Sequence, residues 1–169
     1  IIRTALAATP MHRALFLNVD LSSFNDRDFV RELEYLLAPA CAAGRAVTIE
    51  ITEREAIPLT DTLHQDINRL RALGCKLALD DFGSGYSTYY FLNQFRPDYL
   101  KIEGSFVRGM LDNEADRKIV MHIHELAQSF GMQTIAESVE NEATRNALRS
   151  MGISNAQGLL YGAPELSAA

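Results

Sequence analysis

A chain of 169 residues with 47% hydrophobic residues is sized for one domain with a real core. Its net charge of −6 and isoelectric point near 5.2 argue against an electrostatic grip on long nucleic acid, but leave room for a small anionic ligand if metals neutralise the local carboxylates. No apolar run approaches the ~20 residues that a membrane span needs, and no signal peptide is evident.

The chain opens in a helical pattern over residues 1–8, an odd place for a natural start that points to a fragment or a trimmed product. Six short apolar runs then read as strands, at about 14–19, 46–51, 76–80, 98–102, 132–136 and 153–158. Helical patterns lie between them. Phe29, Leu33, Leu36 and Leu37 share one face, as do Leu63, Ile67 and Leu70, while Ile119, Ile123, Leu126, Ala127 and Phe130 form the clearest stripe. Gly44, Gly74 and Gly131 each follow a helical segment and precede a strand, the place of a C-terminal cap. Strands that are apolar on both faces and alternate with helices predict a parallel α/β sheet covered by helices. Cys41 and Cys75 stand in different apolar contexts without a CxxC spacing and read as buried free thiols rather than a disulfide, as in a reducing compartment.

The polar residues fall where the strands end. Asn18 closes the first run, Glu50 the second, and Asp80 and Asp81 the third; Lys101 lies in the fourth, Glu137 ends the fifth and Gln157 lies in the sixth. The carboxyl ends of parallel strands share one face, where ligands bind. Asp80 and Asp81 are the sharpest signal, because neighbouring anions at a strand tip repel by roughly 4 kcal/mol at an effective dielectric near 20. A cation is expected there. Glu50, Asp80, Asp81, Glu137 and the Asn18 carbonyl form an all-oxygen ligand set suited to Mg²⁺ or Mn²⁺, with enough carboxylates for two ions. His122 and His124, two apart on a helix, point to different faces, and His12 and His64 stand alone at the expected surface, so no zinc site is read. Lys101 would orient a nucleophilic water or neutralise developing charge.

These motifs, taken in order, resemble the EAL-domain cyclic di-GMP phosphodiesterases of bacterial signalling. Leu15-Phe16-Leu17-Asn18-Val19 resembles the family's metal-binding Asn strand, and Glu50-Ile51-Thr52-Glu53 its E-x-T-E motif. The segment from Leu79 through Asp80, Asp81, Ser84 and Tyr86 to Ser87 is similar to D-D-F-G-T-G-Y-S. Asp98 to Glu103 is similar to D-x-x-K-I-D, Ala136 to Glu140 to A-E-G-V-E, and Gln157-Gly158 to the terminal Q-G.

The resemblance implies a TIM-type (β/α)8 barrel, incomplete here with about six of the eight strands, in a single EAL-type domain over residues 1–169 that lacks its N-terminal strands. It implies hydrolysis of cyclic di-GMP to linear pGpG with two divalent cations, Mg²⁺ or Mn²⁺. Asn18, Glu50 and Asp80 would hold one ion, and Asp80, Asp81 and Glu137 the other, with Lys101 and Glu137 acting on the nucleophile. Glu53 and Ser84 would support the loop after Asp81, and Glu140 and Gln157 would line the pocket or touch the dinucleotide. It further implies a homodimer, with sensory or GGDEF-type domains in a cytoplasmic bacterial parent chain that is itself soluble or membrane-attached. Tyr86, Tyr89, Tyr90 and Phe91 read equally as dimer contacts or as helix packing. Glu103 stands for the family's usual Asp, Ser138 for its usual Gly, and Asp20 where Ser is frequent. The Glu-Ala-Leu strand and its metal-binding glutamate are missing, leaving open barrel edges that another segment or partner would close. Hydrolysis by these residues alone is therefore expected to be weak or absent, and a catalytically inactive receptor or protein-interaction module is the alternative.

Overall fold

The computed structural model describes residues 2–52, 60–82 and 89–162. The elements are α1 (Ile2–Ala8), β1 (Leu15–Asn18), α2 (Arg27–Ala42), β2 (Val47–Thr52), α3 (Asp61–Ala72), β3 (Lys76–Phe82), α4 (Tyr89–Phe95), β4 (Tyr99–Ile102), α5 (Gly104–Gly109), α6 (Glu114–Ser129), β5 (Gln133–Ala136), α7 (Glu142–Ser150) and β6 (Asn155–Ala156). Strand order follows chain order from β1 to β6. This is the predicted α/β alternation. The described residues fall into two compact units, one up to residue 78 and the other from residue 79 onward.

In the first unit, β1 and β2 pair in parallel with Leu15 opposite Val47 and Asn18 opposite Glu50. Val47, Ile49 and Ile51 of β2 are each 1% exposed, the result of a strand buried on both faces. The buried stripe of α2 is Val30, Leu33 and Leu37, with Phe29 and Leu36 half-buried at its margin. Asp26 caps α2 through the Asp28 and Phe29 N–H groups at 2.9 and 3.2 Å, and Thr60 caps α3 through the Leu63 N–H at 3.2 Å. Asp66 of α3 is fully buried, accepting bonds of 2.7 and 2.9 Å from Arg27 and a further one from Arg69, so its charge is matched inside the fold.

In the second unit, β4 and β5 pair in parallel with Lys101 opposite Ile135, and β5 pairs with β6 through Ala136 and Ala156. Leu92, Leu100, Ile102, Val107, Val120, Ala127 and Ala136 have no exposed surface. Helix α6 buries Val120, Ile123, His124 and Ala127, an i, i+3, i+4, i+7 set. Ile119 and Leu126 are half-buried. Phe130, expected in this stripe, is 42% exposed, because the helix ends at Ser129 and Phe130 forms its C-terminal cap. The sixth strand is also shorter than its apolar run: only Asn155 and Ala156 pair, and Gln157 lies just beyond it rather than within. Gly44, Gly74 and Gly131 take φ of 83°, 97° and 73° after α2, α3 and α6, the left-handed conformation that closes a helix.

Candidate metal centre

In the second unit, three strand ends bring four charged side chains together. β3 carries Asp80 and Asp81 and continues one residue past them to Phe82. β4 supplies Lys101, and Glu137 follows β5 directly. Lys101 is 3% exposed, and its Nζ lies 2.8 Å from Asp80 Oδ1 and 2.7 Å from Glu137 Oε1. Gln157 Nε2 donates to the same Glu137 oxygen at 2.7 Å. Asp80 Oδ1 also accepts the Asp81 N–H at 2.9 Å. Asp80, Asp81 and Glu137 each offer an oxygen within 4.8 Å of the others.

Three carboxylates against one ammonium leave an excess of two negative charges among these four groups. Burial lifts the Glu137 carboxyl above the ordinary carboxylate range; the hydrogen bond and charge of Lys101 oppose this, while Asp80 and Asp81 add to it. A compact, oxygen-only donor set with surplus negative charge fits a hard divalent cation.

The backbone aims these groups. Asp81 has φ 56° and Ser138 has φ 53°, both left-handed. Asp tolerates that region through its short polar side chain. Ser138 takes it where glycine would be unstrained, which gives the Gly of the A-E-G-V-E motif a physical reason. Room for the Ser138 side chain comes from Gly104, where a Cβ would lie 2.3 Å from Ser138 Oγ and 2.8 Å from Ser138 Cβ. Gly158 is equally constrained: at φ 149° its missing Cβ would lie 2.3 Å from the Val139 nitrogen. Glu137, Ser138, Glu140, Gln157 and Gly158 border a 410 Å³ cavity in which Glu140 and Gln157 are exposed.

Asn18 and Glu50, in the first unit, are register partners at neighbouring strands, with Glu50 5% exposed and two residues short of the end of β2. Glu53 and Ser84, like Tyr86, lie outside the described residues, as do the side chains of Tyr89, Tyr90 and Phe91. Two of the departures from the motifs have local roles. Glu103 caps α5, accepting the Ser105 N–H at 3.0 Å and the Ser105 hydroxyl. Asp20 caps the 3-10 turn Leu21–Asn25, accepting the Ser22 N–H at 2.7 Å. Neither His124 nor His122 joins a metal cluster among the described residues. His124 is buried with Nδ1 2.7 Å from Thr134 Oγ1, and His122 is exposed. His64 is half-buried, its Nδ1 3.2 Å from the Thr60 carbonyl.

Strands in chain order joined by helices, with Asp80, Asp81 and Glu137 at the carboxyl ends of β3 and β5, define a chain of the β/α-barrel class. Residues 2–164 match the EAL domain family, and the chain belongs to it. The cyclic di-GMP phosphodiesterase PdeF of Escherichia coli (strain K12) is 38% identical over 159 residues, which are 94% of this chain and 21% of PdeF. The EAL domain of Mycobacterium smegmatis DcpA superposes with a TM-score of 0.83 at 31% identity, over 98% of this chain and 74% of that one. The manganese and cyclic di-GMP complex of Klebsiella pneumoniae BlrP1 at pH 9.0 superposes with a TM-score of 0.78 at 34% identity, over 94% of this chain and 41% of that one. No helix among the described residues is long and apolar enough to cross a membrane.

Proposed function

We propose that this chain is the catalytic part of a metal-dependent phosphodiesterase that hydrolyses cyclic di-GMP to linear pGpG. The observation that carries this is the cluster of Asp80, Asp81 and Glu137 around the buried ammonium of Lys101. Family membership and the phosphodiesterase relative support it. Residues 1–169 form one EAL-type domain in this proposal. Asp80, Asp81 and Glu137 hold Mg²⁺ or Mn²⁺, and Asn18 and Glu50 complete the ligand set for two ions. Bound divalent cations supply a water of lowered pKa and charge to offset a developing oxyanion.

The chain's own groups do the rest. Lys101 fixes the spacing of Asp80 and Glu137 and faces negative charge that builds on the phosphate. Glu137, with its carboxyl raised by burial, is suited to accept the proton of the attacking water. Gln157 holds Glu137 in place, and Glu140 lines the pocket. A homodimer, sensory or GGDEF-type domains in the same polypeptide and a cytoplasmic site of action belong to the same proposal.

The test is incubation with cyclic di-GMP and Mn²⁺ followed by chromatography of the products. Release of pGpG that is lost with chelator and falls at least about 100-fold in Asp80→Asn supports the enzyme. Binding without turnover in Mg²⁺ and Mn²⁺ would instead make the chain a receptor.

A further inference from the structure

The two cysteines meet in the first unit. Cys41 sits in the last turn of α2, and Cys75 stands between α3 and β3. Each position is fixed by a helix-ending turn. After α2, Gly44 N–H bonds the Cys41 carbonyl at 2.9 Å and Arg45 N–H the Ala40 carbonyl at 3.0 Å. After α3, Gly74 N–H bonds the Arg71 carbonyl at 2.8 Å and Cys75 N–H the Leu70 carbonyl at 3.1 Å. These turns leave the two Sγ atoms 3.6 Å apart, although the residues are 34 positions apart in sequence. Both thiols are free, Cys41 half-buried and Cys75 buried. Cysteines are two in number in this chain, so the pair has no competing partner within it.

We propose that Cys41 and Cys75 form a reversible redox pair, oxidised to an intramolecular disulfide by a low-molecular-weight disulfide. The sulfurs need to approach by about 1.5 Å to reach the ~2.05 Å bond. The accessible thiol reacts first. Cys41, as its thiolate, attacks one sulfur of the reagent disulfide, forming a mixed disulfide and releasing one thiol. Cys75 then loses its proton to solvent and attacks Cys41 Sγ, forming the Cys41–Cys75 bond and releasing the second thiol. Two electrons pass from the protein to the reagent, which is reduced to two thiols. Burial, together with its Cys41 neighbour, pushes the Cys75 thiol up to about 12, so the second step is the slow one and accelerates with rising pH. Adjacency compensates, because the attack is intramolecular between groups already in contact. The bond would staple the end of α2 to the start of β3.

The experiment treats the folded chain with oxidised glutathione at mildly alkaline pH, quenches with an alkylating reagent and measures intact mass. The expected product is monomeric, carries no glutathione and has no alkylatable thiol. Its tryptic digest contains residues 32–45 linked to 72–76. Dithiothreitol restores both thiols. Cys75→Ser is expected to stop as a glutathione adduct on Cys41, and Cys41→Ser to resist the reagent while folded. The bond should form at least about tenfold faster in the folded chain than in concentrated urea. Wild-type protein that keeps its thiols, stops at the mixed disulfide, cross-links between chains, or closes no faster folded than unfolded would overturn the proposal.

Discussion

Replacing Lys101 by Met removes the buried ammonium that lies between two half-buried carboxylates while keeping most of the side chain's volume. Each contact, at 2.7 and 2.8 Å, corresponds to about 6 kcal/mol of attraction at an effective dielectric near 20. Much of that is cancelled by the desolvation of groups with side chains only 3%, 13% and 14% exposed. Deleting one partner does not recover the desolvation cost of the others, and the expected loss is about 3–5 kcal/mol near pH 8. Glu137 provides relief. Its carboxyl is already raised, by burial first, and without Lys101 the two influences that lower it disappear. Protonation then discharges the cluster, so the deficit of Lys101→Met should shrink as pH falls through the raised Glu137 range. Urea denaturation of both proteins at pH 8 and at pH 5.5, with chelator present, measures this. Adding Mn²⁺ should recover more stability in the variant than in the wild type, because a cation replaces the missing charge. A loss below about 1 kcal/mol, or one that grows on acidification, would refute the electrostatic account.

Three further outcomes follow from the geometry. The His124 imidazole is held below its usual value by burial, against the attraction of Glu125. The unfolded chain therefore protonates it first, near pH ~6.5, and stability present above that value is lost as pH falls toward the lower folded one. His124→Gln, which keeps a donor toward Thr134, should flatten this acid limb in urea midpoints taken from pH 7.5 to 5. Gly158→Ala places a Cβ 2.3 Å from the Val139 nitrogen and should cost about 2–3 kcal/mol by the same assay. At Ser138 the left-handed φ predicts that Gly stays within about 0.5 kcal/mol of wild type, relief of strain offsetting backbone entropy, whereas Val loses at least about 1 kcal/mol.

Much of this was legible in the sequence. Strands buried on both faces leave continuous apolar runs, so β2 and the start of β3 could be placed within a residue or two. The glycines after α2, α3 and α6 announced the helix ends because only a left-handed residue closes them cheaply. Asp80 and Asp81 stood out since an acid pair at a strand tip conflicts with burial. What stayed hidden depends on distances that spacing does not encode. Lys101 was read as acting on water or developing charge, and its simultaneous contact with Asp80 and Glu137 depends on the side-chain geometry of three strand ends. The meeting of Cys41 with Cys75 joins two helix ends that are far apart in the chain, and separate apolar contexts hid it. Phe130 and Gln157 were misplaced for one reason: an apolar run does not mark where backbone pairing stops. The matched charges of Arg27, Asp66 and Arg69 gave no periodic signal at all.

Gly104 and Ser138 tie two distant positions into one historical constraint. A side chain at 104 and a side chain at 138 exclude each other, since the two would share the same few ångströms. Ser138 could arise only while residue 104 lacked a Cβ, and once it had arisen, position 104 was closed to every other amino acid. Opening it requires glycine at 138 first, after which the nearest remaining neighbour of a Cβ at 104 is the Arg108 guanidinium, 3.1 Å away. The order in which these two positions can change is thus dictated by the fold: 104 must lack a Cβ before 138 gains one, and 138 must lose its side chain before 104 gains one.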